Sequence, residues 1–214
     1  MPHADLAPGS VILVTGGARG MSGRVAVTLA ERHRCRLEIV GDSPLPDPED
    51  EVLAACADAP ALRRLLVDRG LRSPLQIEAE TARILAGRET AEALWACEGA
   101  GARVTYHACA LEDAHAFAAL VDEIYEREGR IDGVVHDAGR STLADKLRSD
   151  VRFIVFLAGA AREALPALAR CMLGPIVSIV APERGMARAL DELGSGDAAQ
   201  VLFMPEATEL ESWS

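Results

Sequence analysis

The stretch "TGGARGM", Thr15 to Met21, sets three glycines and an arginine between an apolar run and an amphipathic one. Glycine lets the backbone come close to a bound group, and a helix opening just after such a turn aims its free N–H groups at an anion. After a strand and before a helix, this is the turn on which a dinucleotide pyrophosphate rests. Thr15, Gly16, Gly17, Arg19, Gly20 and Met21 are therefore candidate cofactor-binding residues. His107 and His136 stand near strand ends, with no carboxylate or serine at a sequence spacing that suggests a relay, and they read as hydrogen-bonded filler. Glu112 and Asp113 read as structural, Asp113 as the N-cap of "AHAFAALVDEIYERE". The five cysteines are scattered without C-x-x-C or Cys/His ligand spacing, which points to small buried hydrophobes in a reducing compartment and to no metal.

The elements that must position these residues alternate. "VILVT" (11–15) has strand length, "GRVAVTLAERH" places Val25 and Leu29 on helical spacing, and "RLEIV" (36–40) is a second strand. Further strands are expected at 103–108, 133–138, 152–158, 176–180 and 200–204. Such alternation predicts one α/β domain over residues 1–214, a Rossmann-like doubly wound parallel sheet in the order 3-2-1-4-5-6-7. Two connections break the rhythm. Residues 43–100 form an insertion between strands 2 and 3, opening with "SPLPDPED" and continuing as helical sequence, and its helices are expected at one edge of the sheet. Conversely, "STLADKLRSDV" leaves little more than the minimal crossover between strands 4 and 5, so residues 141–175 read as shortened. An apolar face left uncovered there is a candidate interface with a second copy.

Composition narrows the classes. With 33 acidic against 22 basic residues and a net charge of −11, the surface repels nucleic acid and anionic membranes. No apolar run approaches the ~20 residues that cross a bilayer. "MPHADLAPGS" shows no basic-then-apolar leader, and a cytoplasmic location is the expectation.

"VILVTGGARGM", "CRLEIVGDSPLP", "LRSPLQIEAETARILAGRET", "GARVTYHAC", "IYEREGRIDGVVHDAG" and "ADKL", in this order, resemble the ketoreductase domains of iterative type I polyketide synthases, particularly those making enediyne or polyunsaturated chains. These domains belong to the short-chain dehydrogenase/reductase superfamily. The likeness runs from Val11 to Lys146 and continues in pieces through "VRFIVF", "GPIVSIVAPERGM" and "ALDELGSGDAAQVLF". It implies NADPH-dependent reduction of a β-ketoacyl chain on an acyl carrier protein, with the other synthase domains as partners. A tyrosine protonates the oxyanion, a serine closing the fifth strand holds the carbonyl, and a lysine and an asparagine support the proton path.

The chain departs from that pattern at each catalytic position. The only tyrosines are Tyr106 and Tyr125, neither of which matches the family's "Y-A-A-A-N" run. Leu157, Ala158 and Gly159 stand where "F-S-S" would be, Lys146 matches an earlier loop, and there is no asparagine. No catalytic residue is assigned. On the cofactor side Ala138 and Gly139 match the turn after the fourth strand, where Asp137 adds a charge, and Ala110 replaces an adenine-contacting aspartate. Asp42 replaces an arginine suited to the 2′-phosphate of NADP and favours NAD, unless it is simply a solvated loop acid. Two readings follow. One is a degenerate, non-catalytic scaffold or docking domain with weak or lost binding of NADP or NAD; the alternative is an active reductase using unassigned residues.

Overall fold

The computed structural model describes residues 6–136, Leu147, Val151 and the strand backbones at 153–157, 176–179 and 200–203. Its strands are β1 (Val11–Thr15), β2 (Arg36–Gly41), β3 (Arg103–Ala108), β4 (Gly133–His136), β5 (Phe153–Leu157), β6 (Ile176–Ile179) and β7 (Gln200–Phe203). They form one sheet in the order β3-β2-β1-β4-β5-β6-β7, every pairing parallel, as the alternation predicted.

The central position of β1 explains its unbroken apolar run. All five of its residues are buried, and alternate side chains enter different cores. Ile12 and Val14 pack with Val25, Leu29, Leu37 and Ile39 under helix α1 (Gly20–His33). Val11 and Leu13 pack with Phe117, Val121 and Ile124 of the helix between β3 and β4 on the opposite face. Burying each such side chain contributes roughly 1.5–3 kcal/mol, so both faces of the sheet hold the β1–α1 turn in place.

The insertion comprises α2 (Glu51–Ala54), α3 (Ala59–Asp68) and α4 (Pro74–Gly99). The helix after β3 is α5 (Ala114–Glu128), whose N-cap Asp113 accepts from the His115 and Ala116 amides, as expected from sequence. The edge placement foreseen for the insertion needs correcting. The C-terminal part of α4 buries Leu94 and Cys97 in the α1 core and acts as the β2-to-β3 crossover helix itself. Only the earlier part stands outside that core, where Leu62, Leu66 and Ile84 make a cluster of their own between α3 and α4. Arg88 secures it, donating to both carboxylate oxygens of Glu49 and to the Leu53 and Cys56 carbonyls.

Between β4 and β5, Leu147 and Val151 pack on the α5 side, Val151 fully buried among the β1 and α5 residues. The expectations for Asp137, Ala138, Gly139, Lys146, Ala158 and Gly159 lie outside the described residues.

Candidate functional site

The β1–α1 turn takes its shape from glycine. Gly16, Gly17 and Gly20 all hold positive φ, at 95°, 78° and 53°, a region that other residues enter only with strain. The Gly17 amide donates to the Val40 carbonyl at 2.8 Å, tying the turn to the end of β2. Behind it, buried Thr15 and His136 meet at 2.6 Å between Oγ1 and Nδ1, bridging the ends of β1 and β4. Ser22, fully buried, donates back to the Arg19 carbonyl at 2.8 Å. Thr15 and Ser22 thus brace the turn from below. Met21, partly buried, packs its side chain against the α1 core.

Helix α1 lacks a cap of its own. Its N-cap residue Arg19 makes no side-chain cap bond and the first turn carries no acid. Instead Glu89, exposed on α4, accepts from the Gly20 amide at 2.8 Å. Nothing in the local sequence signals this bond, which joins residues 69 positions apart.

Beside the turn, a cleft of about 320 Å³ opens between the β2–α2 loop and α4. Small residues of α4, Ala79, Ala82, Ala86 and Gly87, form one wall, and Arg19, Asp42 and Tyr106 stand on the other side. Asp42 is 68% exposed; its carboxylate lies 3.7 Å from the Arg19 guanidinium and accepts from Ser43 Oγ at 3.0 Å. The structure therefore pairs the acid that sequence reasoning left alone with a cation from the turn. Tyr106 donates its hydroxyl to the Ser43 carbonyl at 2.8 Å. Burial, then the Asp42 charge, pushes its pKa above the usual phenol range. Ala110 is exposed beyond β3 and brings no polar side chain to this rim.

His107 is hydrogen-bonded, as its reading as filler expected, and its partner is an acid that sequence spacing did not show. His107 Nε2 lies 2.6 Å from Glu38 Oε2, and Arg127 donates to the same oxygen at 2.6 Å. The parallel register sets Glu38 opposite Thr105, which puts Glu38 and His107 diagonally on one face of neighbouring strands. Sequence spacing across 69 residues hides such a pair. The Glu38 side chain is 3% exposed, and its bonds to β3 and α5 staple the sheet to that helix.

Two of the cysteines and the second tyrosine are enclosed in the core. Cys35 and Cys97 are buried, their thiols pushed by burial up to about 12 and about 11. Tyr125 is buried among Phe117, Val121 and Ile124. Among the described residues there is no cluster fit to hold a metal ion, and no helix long and apolar enough to cross a membrane.

A KR domain family model matches residues 10–153. The chain belongs to the KR, or ketoreductase, domain family. The polyketide synthase ThaG of Burkholderia thailandensis is 30% identical over 156 residues, a match that takes in 71% of this chain and 2% of that synthase. The chain thus spans a very small part of the length of its curated relative. Among solved structures, a ketoreductase domain from the bacillaene assembly line has a TM-score of 0.52 at 18% identity, covering 97% of this chain and 53% of that one. An N-terminal ketoreductase from the macrolactin assembly line has a TM-score of 0.54 at 18% identity, covering 94% and 45%. The NADH-dependent reductase A1-R′ superposes at 0.54 with 15% identity, over 95% and 98%. At these identities the likeness to solved structures shows the fold alone.

Proposed function

We propose that this KR domain is a non-catalytic, ketoreductase-like member of an iterative polyketide synthase. It serves as a scaffold or docking surface among the other synthase domains and their acyl carrier protein, in the cytoplasm, and retains weak nicotinamide dinucleotide binding. The observation that carries the reading is the placement of the two tyrosines. The family's reacting carbonyl lies beside the end of β5, while Tyr106 sits on β3, separated from β5 by β2, β1 and β4. At ~4.8 Å per strand step that is about 19 Å, far beyond proton-transfer reach. Tyr125 is enclosed in the α5 core.

The phosphate end fits a dinucleotide better. The backbone of Gly16, Gly17, Gly20 and Met21 would face the pyrophosphate, with Thr15 bracing the turn; Arg19 and Asp42 would meet the adenosine ribose, and the family resemblance assigns Ala138 and Gly139 to the cofactor as well. Because Arg19 already pairs with Asp42, a 2′-phosphate gains little there, and NADP is not preferred over NAD. A bound cofactor would supply hydride; this chain's own residues would only hold it.

The test is incubation of the protein with NADH or NADPH and a decalone as ketone surrogate, following absorbance of the reduced nicotinamide. No protein-dependent oxidation is expected, since general acid catalysis contributes ~10²–10⁴-fold and an oxyanion donor a further ~10²–10³-fold. Steady oxidation abolished by Tyr106→Phe or Tyr125→Phe would reveal a replacement acid and overturn the reading.

A further inference from the structure

We propose that Glu89 is a built-in competitor for the phosphate position at the N-terminus of α1, so that a dinucleotide seats its pyrophosphate only by displacing this carboxylate. The proposal rests on the dinucleotide-binding reading above. The Gly20 N–H, on the turn that would face the pyrophosphate, donates to Glu89 Oε1 at 2.8 Å. A hydrogen already shared with a carboxylate is lost to a phosphate oxygen, and the negative charge beside it repels a second anion.

The contact is delivered by the framework of the fold. Helix α4 packs along α1 through Leu94 and Cys97, next to Val25 and Leu29. The neighbouring residue, Arg88, is fixed by Glu49 and by two carbonyls of the insertion. These restraints present Glu89 to the turn. Its side chain is nevertheless exposed, beside the cleft walled by Ala86 and Thr90, so it has room to swing away. Because α1 has neither a side-chain cap nor an acid in its first turn, Glu89 supplies from α4 the negative partner that the helix end otherwise lacks. The insertion therefore acts on the cofactor turn itself.

The experiment is calorimetric titration of the full chain with NADH, and separately with phosphate-free adenosine, for the wild type, Glu89→Ala, Glu89→Gln and the control Glu92→Gln. Glu92 is exposed one turn further along α4, so its replacement changes the net charge equally. Thermal melts establish that each variant is folded, and Glu89→Gln keeps an acceptor for the Gly20 amide should the alanine variant fail to fold. The expected result is NADH binding tightened about two- to fivefold in both Glu89 variants, the range of a charge at a helix terminus. Adenosine affinity and the Glu92→Gln protein stay unchanged. NADH affinity that is equal or weaker in the Glu89 variants, with measurable wild-type binding, overturns the competitor role and leaves the dinucleotide reading standing. An equal gain from Glu92→Gln overturns it as a bulk charge effect. Folded proteins that bind no NADH in any form overturn the dinucleotide reading, and the competitor with it.

Discussion

Around the β1–α1 turn three glycines hold positive φ, Thr15 is pinned by His136, and Ser22 ties the helix back to the turn. The chain's two tyrosines present the contrast: one is committed to a loop carbonyl beyond β2 and the other is packed under α5. The first region is made of backbone and is part of how β1, β2 and α1 pack. The second chemistry depends on a side chain at one position. A turn made of backbone cannot be lost without straining the fold, whereas a proton donor can be replaced with little cost to stability. Under the proposed function, this is why the phosphate end persists where the acid does not.

Four measurements would break or sharpen that contrast. The largest effect is expected from Glu38→Ala, which strips the shared acceptor from His107 and Arg127. With those partners still partly exposed, the loss should be about 2–3 kcal/mol in urea unfolding, with NADH affinity unchanged. A change in affinity at full folding would move this cluster from structure into the site.

Gly17→Val comes next. A β-branched residue at a φ of 78° should cost about 1–3 kcal/mol and weaken NADH binding at least in proportion. Unaltered affinity in a destabilised protein would mean that the turn no longer binds, erasing the contrast. Tyr106→Phe removes one hydrogen bond on the rim of the cleft, and about 0.5–1 kcal/mol is expected, read from the unfolding midpoint.

The smallest effect concerns acid. Burial raises the Glu128 carboxyl, but bonds from Arg36, at 2.5 Å, and from Arg127 outweigh it and hold the group below the usual carboxylate range. Its contribution is therefore present above the ordinary value of 4.5 and is lost as pH falls below it. Arg36→Ala should flatten the pH dependence of unfolding below the ordinary carboxylate value of 4.5 by a measurable fraction, leaving the neutral-pH turn geometry, followed by the Gly20 amide resonance, in place.

Much of this architecture could be read directly. The apolar runs and the glycine turn located β1, α1 and β2, and alternation together with that turn gave the expected order 3-2-1-4-5-6-7, which the sheet has. The composition of 43–100 announced helices but not their place. Leu94 and Cys97 look like any apolar pair until α4 lies on α1 and buries them. The candidate site divides in the same way. The turn residues are contiguous and their conformation follows from glycine's freedom at positive φ, which is a local property.

Sequence by itself determined the fold class, the glycine turn between β1 and α1 and the absence of a tyrosine in the family's motif, since each rests on residue type and short-range spacing. Tertiary structure alone decided that Arg19 meets Asp42, that Glu38 serves His107 and that Glu89 reaches Gly20. The last two pairs span 69 residues each, and the first spans a whole helix and strand. Charge interactions fall off within several ångströms, so their partners are chosen by which strands and helices pack together rather than by order along the chain.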